Sequence, residues 1–269
     1  MQMEKIILIT GATDGIGLET AKLLASKGQR LLLHGRNAKK LNEVQKVISG
    51  ISGAATPEVF QADLSNLAEV SALADSVCAK HAKLDILINN AGVHGPGLVT
   101  ADGIDIRFAV NTVAPYLLTK RLLQLFDPSG RIVNLSSAAQ APVSPDVLAE
   151  GRCLPDNVAY AQSKLALTMW SRSLALSLGE GGPVVVAVNP GSLLGSKMVK
   201  EAYGMDGKDI GIGADILSRA ALADEFSDAT GKYFDNDSGR FASPHPDALN
   251  QEKCDAIVHA IEGVIAETA

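Results

Sequence analysis

The 269-residue chain is 46% hydrophobic and 20% charged with a formal net charge of -6, which excludes disorder and predicts one packed domain, residues 1–269. Its mild acidity gives no reason to expect a nucleic-acid partner. No apolar run approaches the ~20 residues of a membrane span, so we expect none. Glycines follow the first apolar run too soon for a signal peptide. Cys78, Cys153 and Cys254 are scattered without metal-ligand spacing, so we expect no metal site and a reduced, cytoplasmic setting.

Apolar, strand-like runs alternate with helix-patterned segments along the chain. The strands are predicted at 6–10, 31–35, 58–62, 84–89, 131–136 and 184–189. The helices are predicted at 15–28, 37–49, 65–82, 102–126 and 157–178. Because the strands are nearly continuous in Val, Ile and Leu, both faces of each strand should be covered. This repeat predicts an α/β fold: a Rossmann-type doubly wound parallel β-sheet flanked by helices on both faces.

The segment 191–230 departs from this alternation. It is punctuated by glycines, and its pattern indicates irregular structure. Two interpretations fit it about equally well: a mobile flap or an ordinary surface loop.

The stretch TGATDGIG, residues 10–17, stands where the first strand should pass into a helix, and it contains three glycines. Glycine permits positive φ and close approach of another group, at a cost of roughly 0.5–1 kcal/mol relative to alanine. At the carboxyl edge of a sheet, the N–H groups of such a turn and the helix N-terminus would point at the phosphates of a ligand. The alternative is a tight turn that needs only small residues.

Four further features fall at the same predicted edge of the sheet. The sequence NNAG (89–92) ends the fourth strand, Asn111 lies in the next helix, SS (136–137) ends the fifth strand, and Tyr160 and Lys164 open the helix after it. Together with the glycine turn, these motifs resemble the short-chain dehydrogenase/reductase family in its single-domain form. The resemblance covers roughly residues 4–240 and implies hydride transfer with a nicotinamide dinucleotide.

Tyr160 and Lys164 are four residues apart, so they should lie on one helix face with Cβ atoms about 5–6 Å apart. With an ordinary pKa of about 10, a tyrosine is a poor proton donor or acceptor at neutral pH. An ammonium about 5 Å away is worth on the order of 3 kcal/mol, or about two pKa units. We therefore predict that Tyr160 exchanges the proton in catalysis and that Lys164 tunes it. The alternative is an incidental tyrosine and a surface lysine.

The resemblance implies that Ser137 is catalytic and holds the substrate oxygen, and that Asn111 belongs to the same catalytic set. If both serines are in extended chain, Ser136 points the other way and serves as a capping or turn hydroxyl. Pro115 has no N–H to donate to the Asn111 carbonyl. In the family the matching asparagine helps to hold a water that links the lysine to solvent, and a freed carbonyl would suit such a water. A kink imposed by packing alone is the alternative.

Cofactor choice depends on the residues that end the second strand. An NAD-preferring site usually places Asp or Glu there, about 20 residues past the glycines. This chain has LHGRN (33–37), with no carboxylate until Glu43, and Arg36 offers a planar fork for a 2′-phosphate. We therefore predict NADP, with NAD as the alternative, in which case Arg36 is a solvated loop residue. Asp14 argues mildly against NADP, because some NADP enzymes carry a base in the glycine turn.

The resemblance extends the cofactor site beyond the glycine turn. Asp63 matches the family residue that reaches the adenine amino group, and otherwise it would cap the following helix. Lys164 would also bind the nicotinamide ribose. The complete predicted cofactor set is Gly11, Thr13, Asp14, Gly15, Ile16, Gly17, Arg36, Asp63, Leu64, Asn89, Ala91, Gly92, Tyr160, Lys164, Pro190 and Gly191.

Two departures from the family pattern limit what the resemblance implies. Many relatives have a threonine four residues after the glycine of a Pro-Gly pair, where this chain has Gly195 followed by Ser196. The spacing of 23 residues between Ser137 and Tyr160 is also longer than the dozen or so common in the family. The extra segment, 138–157, should lie over the substrate entrance. A long gap of this kind resembles the retinol-dehydrogenase-like branch, and we infer from it an apolar carbonyl or alcohol substrate.

Two other functions are alternatives to an oxidoreductase. A catalytically silent redox sensor or regulatory protein on the same fold would need the phosphate-binding turn but no proton donor. A methyltransferase on a similar sheet would not require the Tyr160 and Lys164 pair. The complete set of Ser137, Tyr160 and Lys164 therefore favours the enzyme.

Assembly is predicted from the two helices that carry Asn111 and Tyr160, because both are apolar on most sides and have few charges. Their small and apolar residues are Val110, Val113, Leu117, Leu118, Leu122, Leu123, Leu125, Ala161, Leu165, Thr168, Met169 and Ala175. We expect a homodimer or homotetramer that packs these helices against their symmetry mates. The alternative is that the 138–157 segment or a C-terminal helix covers them within one chain.

Overall fold

One eight-stranded sheet forms the centre of the computed structural model, which describes residues 3–268 apart from the side chains of residues 149, 202 and 203. The strands are β1 (Ile6–Ile9), β2 (Arg30–Gly35), β3 (Glu58–Gln61), β4 (Ile86–Asn89), β5 (Arg131–Leu135), β6 (Val184–Asn189), β7 (Tyr233–Asp235) and β8 (Arg240–Ala242). They lie in the order β3-β2-β1-β4-β5-β6-β7-β8, and only β8 is antiparallel to its neighbour. The predicted Rossmann-type doubly wound sheet is confirmed.

Helices connect the strands and cover both faces of the sheet. They are α1 (Gly15–Ser26), α2 (Ala38–Ser49), α3 (Leu67–Lys80), α4 (Ile106–Phe108), α5 (Ala114–Leu122), α6 (Asp146–Glu150), α7 (Asp156–Leu178), α8 (Lys197–Tyr203), α9 (Gly211–Leu222) and α10 (Gln251–Thr268). A π-helical turn, Ala109–Val113, joins α4 to α5 just before Pro115. The predicted strands and helices are confirmed, with ends that differ by a few residues. Within residues 3–268, no helix combines the length and apolarity needed to cross a membrane.

Two hydrophobic clusters hold the sheet between its helices. Alternate residues of β1 belong to opposite clusters, as expected for a strand buried on both faces. Ile7 and Ile9 pack in the cluster that includes α1 and α9, and Leu8 packs in the cluster that includes α3, α5, α7 and α10. The carboxyl edge of the parallel strands therefore has a fixed position between two helical layers.

The expectation of irregular structure for residues 191–230 was wrong. The segment contains α8 and α9, and Ile216 and Leu217 of α9 are fully buried against the sheet. Gly213 lies inside α9, where a Cβ atom would come within 2.7 Å of Leu194 and 3.2 Å of Ile16. Some of these glycines therefore allow close packing and do not mark a loop.

The C-terminal helix α10 covers α7, and α3 packs against α5, so neither helix of the apolar pair from which we inferred assembly is bare. Cys254, Ile257 and Ile261 of α10 join the same cluster as Leu165 and Trp170 of α7. Of the apolar positions named above, all except Leu123 and Ala161 are buried within one chain. The premise of a bare helix pair was wrong, and its alternative, a covering C-terminal helix, is confirmed.

Candidate active site

The glycine turn lies between β1 and α1 and adopts the backbone conformation that glycine favours. Gly11 and Gly15 have positive φ values of 65° and 57°. A Cβ atom at Gly17 would lie 2.4 Å from both the Asn90 side-chain nitrogen and the Gly11 carbonyl oxygen. Around Gly15, the nearest atoms to such a Cβ are 3.8 Å away. The chain itself therefore fills the space at Gly17, and Gly15 leaves room for an external group.

The NNAG motif contacts this turn through Asn90, which the sequence analysis did not select. Asn90 Nδ2 donates hydrogen bonds to the carbonyls of Thr10 (2.8 Å) and Gly11 (3.1 Å). Thr10 Oγ1 accepts in return from the Asn90 and Ala91 N–H groups. These bonds attach the end of β4 to the turn after β1.

Asn89, which was predicted to bind the cofactor, directs its side chain into the core. It is 3% exposed, and its Nδ2 donates to Thr119 Oγ1 (3.0 Å) and Asn134 Oδ1 (2.8 Å). Only its backbone could contact a ligand in this arrangement. The sequence could have indicated this direction, because side chains alternate along a strand and consecutive asparagines must face opposite sides.

Several other predicted cofactor residues serve the fold around the turn. Asp14 caps α1 by accepting from the Gly15 N–H (2.9 Å). Thr13 packs so close to Gly35 that a Cβ there would lie 2.5 Å from its methyl group. The Leu64 side chain is buried in the core, so it could reach a cofactor only through its backbone. Ile16 packs partly buried under α9.

Two cations lie exposed beside the turn, each near a carboxylate. Arg36 is 73% exposed at its side chain and lies 3.8 Å from Asp63, and Lys40 lies 3.2 Å from Asp14. Asp63 does not cap α3, so that alternative was wrong. It accepts instead from the N–H and the hydroxyl of Ser65, and the helix cap is Asn66.

His34 links the turn to the end of β3, and the sequence analysis missed it. Its Nδ1 accepts from the Gly11 N–H (3.3 Å), and its Nε2 lies 3.0 Å from the Ala62 carbonyl. Since the carbonyl can only accept, these partners place the ring proton on Nε2. Burial lowers the pKa of His34 from 6.5 to about 4, because the apolar surroundings disfavour the charged ring. The sequence could have indicated a role for His34, because it is a polar residue within the apolar run LLLHG.

Tyr160 and Lys164 lie on one face of α7, at the predicted spacing. The Lys164 ammonium is 5.8 Å from the centre of the Tyr160 ring and donates to the Leu135 carbonyl at 2.7 Å. Lys164 is 3% exposed, and burial lowers its pKa from 10.5 to about 8. A Cβ atom at Gly92 would lie 3.4 Å from this ammonium. The charge therefore lies between α7, the end of β5 and the segment after β4.

The two serines after β5 face different surroundings. Ser136 is buried, and its hydroxyl lies 2.7 Å from Thr168 Oγ1 on α7. It is a core residue, so the capping or turn role considered for it was wrong. Ser137 is partly exposed, and its hydroxyl accepts from the Ala139 N–H at 3.0 Å. Of the two, Ser137 alone is open to a ligand.

Asn111 is fully buried in the π-helical turn and joins two parts of the site. Its amide accepts from the Val93 N–H (2.8 Å) and donates to the Val93 carbonyl (2.9 Å) and to Ser163 Oγ (2.9 Å). Ser163 in turn donates to the Tyr160 carbonyl at 2.8 Å. Asn111 thus ties the segment after β4 to the first turns of α7, and its role with a water stays a prediction.

Comparison with known proteins identifies the group to which this site belongs. A family model described as short chain dehydrogenase matches residues 5–206. The chain belongs to the short-chain dehydrogenase/reductase family. Short-chain dehydrogenase TIC 32 A, chloroplastic, of Brassica napus is 34% identical over 251 residues, covering 84% of this chain and 78% of that protein. Retinol dehydrogenase 13 of Homo sapiens is 31% identical over 268 residues, covering 92% and 80%.

Solved structures support the same assignment. A short chain dehydrogenase from Shigella flexneri 2a str. 301, complexed with NADP, superposes with a TM-score of 0.70 at 29% identity, covering 87% of this chain and 98% of that one. As a member of the short-chain dehydrogenase/reductase family, the protein is an NAD(P)-dependent oxidoreductase that acts on small molecules.

In this dehydrogenase, the missing threonine after Pro190 and Gly191 has a structural reason. Gly195 donates to the Lys208 carbonyl at 2.7 Å, and a Cβ atom on it would lie 2.8 Å from the Asp206 carbonyl oxygen. A threonine would therefore collide with backbone there. Ser196, one residue later, caps α8 by accepting from Val199.

The long segment of this dehydrogenase between Ser137 and Tyr160 is anchored in its middle and near its C-terminal end. Leu148 of α6 is buried in the core, and the Leu154 carbonyl accepts from the fully buried guanidinium of Arg107 at 2.8 Å. Arg107 also pairs with the buried Asp105 at 2.6 Å. The segment is thus a packed part of the fold, and its position over the substrate entrance stays a prediction.

Proposed function

We propose that this enzyme transfers a hydride between NADP and an apolar carbonyl or alcohol substrate, with Tyr160 as the proton donor or acceptor. The observation that carries the proposal is the buried Lys164 ammonium, which lies 5.8 Å from the centre of the Tyr160 ring. Among the residues that the structure describes, no carboxylate pairs with Lys164. A buried cation of this kind costs folding free energy, so its position needs a functional reason.

The residues present fit a dinucleotide. Gly15 has positive φ at the N-terminus of α1, and it leaves open space beside N–H groups and the positive end of the helix dipole. Arg36 and Lys40 at the end of β2 and start of α2 would hold a 2′-phosphate through charge-assisted hydrogen bonds. Both cations now face carboxylates, and a phosphate would compete with those carboxylates for them. This donor set favours NADP over NAD.

The bound cofactor supplies the hydride, and the chain's own residues manage the proton and the substrate oxygen. During reduction, Tyr160 gives the proton of its hydroxyl group to the oxygen of the substrate. The Lys164 ammonium stabilises the negative charge that develops on the phenol oxygen. Ser137 donates a hydrogen bond to the same substrate oxygen and holds it beside Tyr160. Oxidation of an alcohol uses the same groups in the reverse direction.

The apolar character of the substrate is supported by exposed apolar residues on the segments that follow the parallel strands. Six of the ten large apolar side chains exposed among residues 3–268 lie after β4, at the start of α7 or after β6. They are Leu98, Val99, Val158, Leu193, Met205 and Ile212. These segments also carry or adjoin the predicted site residues, so an apolar substrate would find apolar side chains there.

A panel of carbonyl compounds, with NADPH oxidation followed by absorbance, tests the proposal. We expect aldehydes or ketones with long apolar groups to be reduced faster than small polar ones, and NADPH to be used in preference to NADH. Tight NADPH binding without turnover of any compound would contradict the proposal. That result would favour the silent dinucleotide-binding protein instead.

We further propose that residues 1–269 act as one domain in the cytoplasm. The continuous sheet supports the first point, and three cysteines that are free within the described residues support the second. A homodimer or homotetramer stays a prediction, but α10 covers α7 and α3 packs against α5. We therefore propose that any assembly uses another face of the protein.

A further inference from the structure

A histidine absent from the predicted site lies against the Tyr160 ring. The ring centres of His94 and Tyr160 are 4.9 Å apart, and the ring planes are inclined by 51°. This distance is within the range of favourable aromatic pairs. His94 belongs to the segment after the NNAG motif, and it is 9% exposed. The contact therefore joins the carboxyl end of β4 to the start of α7.

Two sets of hydrogen bonds fix the position of His94. Asn111 holds the backbone of the preceding residue, Val93, at both its N–H and its carbonyl. The Nε2 atom of His94 lies 3.0 Å from Asn157 Oδ1, which makes it the donor nitrogen. Asn157 precedes Tyr160 by three residues in the first turn of α7. The imidazole thus spans one turn of the helix and contacts the tyrosine at its end.

We propose that His94 is a positioning residue that holds the Tyr160 ring in its catalytic orientation. The neighbours of the ring include the imidazole and the Lys164 ammonium one turn later on α7. Burying an imidazole costs free energy unless its N–H is paired, and Asn157 meets this requirement. Loss of the imidazole contact would let the phenol ring tilt, so that its hydroxyl group would lie at hydrogen-bond distance from the substrate oxygen for less of the time.

Ring packing is the feature that acts on Tyr160, so a phenyl ring should replace the imidazole. This inference rests on the proposed function, in which Tyr160 exchanges the proton. We expect His94→Ala to lower kcat by about 10- to 100-fold, because a displacement of about 1 Å at a reacting group can cost 100-fold. His94→Phe should stay within about threefold of the wild type. The Kd for NADPH should change by less than about threefold in both variants, and His259→Ala on the exposed side of α10 is the matched control.

A second readout does not depend on turnover. The four tyrosines can be labelled as 3-fluorotyrosine, and Tyr160→Phe assigns the fluorine resonance of Tyr160. In His94→Ala this resonance should shift and sharpen as the ring gains mobility, and in His94→Phe it should keep its wild-type width. If the resonance and kcat of His94→Ala match those of the wild type, the proposal is overturned. It is also overturned if Phe and Ala have equal effects. An inactive wild-type enzyme would refute the proposed function, and the resonance would still test the position of the ring.

Discussion

Replacing Lys164 by methionine should stabilise the fold while it removes activity. Burial lowers the pKa of Lys164 from 10.5 to about 8, which corresponds to about 3 kcal/mol against the charged form. Methionine has a similar length and carries no charge, so this cost disappears at pH 7. The variant loses the hydrogen bond to the Leu135 carbonyl, and leaving that acceptor unpaired costs about 1–3 kcal/mol. The free energy of unfolding should therefore rise by about 0–2 kcal/mol.

The stability gained by Lys164→Met should depend on pH, and the pKa of Lys164 gives the direction. The folded pKa of Lys164, about 8, lies below the unfolded value of 10.5. Below pH 8 the lysine is charged in both states, and the folded protein carries the full cost of burying the charge. Between pH 8 and 10.5 the folded state loses its proton first, so the stability of the wild type rises relative to the variant. The advantage of Lys164→Met should shrink across this window.

Urea unfolding at pH 7 and pH 10, together with NADPH oxidation, measures both effects. Activity should fall by about 100-fold or more, because an ammonium about 5 Å from the phenol is worth on the order of 3 kcal/mol. Lys46→Met on the exposed side of α2 is the matched control and should change neither property. A Lys164→Met variant that is destabilised by more than about 2 kcal/mol, or that keeps wild-type turnover, would refute the reasoning.

Three further predictions follow from the cofactor turn and the covered helices. Arg36→Ala should weaken NADPH binding at least about tenfold and leave NADH little changed in fluorescence titrations, and equal losses for both would show that Arg36 does not select the cofactor. The folded pKa of His34, about 4, lies below its ordinary value of 6.5, so the free energy of unfolding should fall by up to about 3 kcal/mol from pH 6.5 to 4. The free energy of unfolding of His34→Gln, measured in urea, should not show this fall between pH 6.5 and 4. A pH dependence equal to that of the wild type would contradict the role of burial. Light scattering after size exclusion should give a multiple of 28.0 kDa for the predicted homodimer or homotetramer, with an interface away from the covered helix α7, whereas a mass near 28.0 kDa would reject the assembly.

The sequence was sufficient for the parallel sheet and for the placement of Tyr160 beside Lys164, because both depend on local periodicity. Continuous apolar runs located six strands, and a spacing of four residues placed Lys164 beside Tyr160 on α7. The divergence of Ser136 and Ser137 also follows from local strand geometry. The same argument would have assigned Asn89 to the core and Asn90 to the turn.

Tertiary contacts between distant segments account for the features that the sequence could not predict. His34 contacts Gly11 and Ala62, residues that lie 23 and 28 positions away. The packing of α10 on α7 brings residues such as Cys254 and Trp170 into one hydrophobic cluster, and no local pattern encodes this packing. The segment 191–230 was misinterpreted because its glycines, such as Gly213, serve close helix packing as well as turns.

Turnover by Tyr160→Phe tests the central claim most directly. The phenyl ring keeps the packing against His94 and removes only the hydroxyl, so NADPH affinity should stay within a few-fold of the wild-type value. With a carbonyl substrate that the wild type reduces, NADPH oxidation at 340 nm should fall to the background rate. Turnover near the wild-type rate, with the variant folded and NADPH bound, would contradict the assignment of Tyr160 as the proton donor.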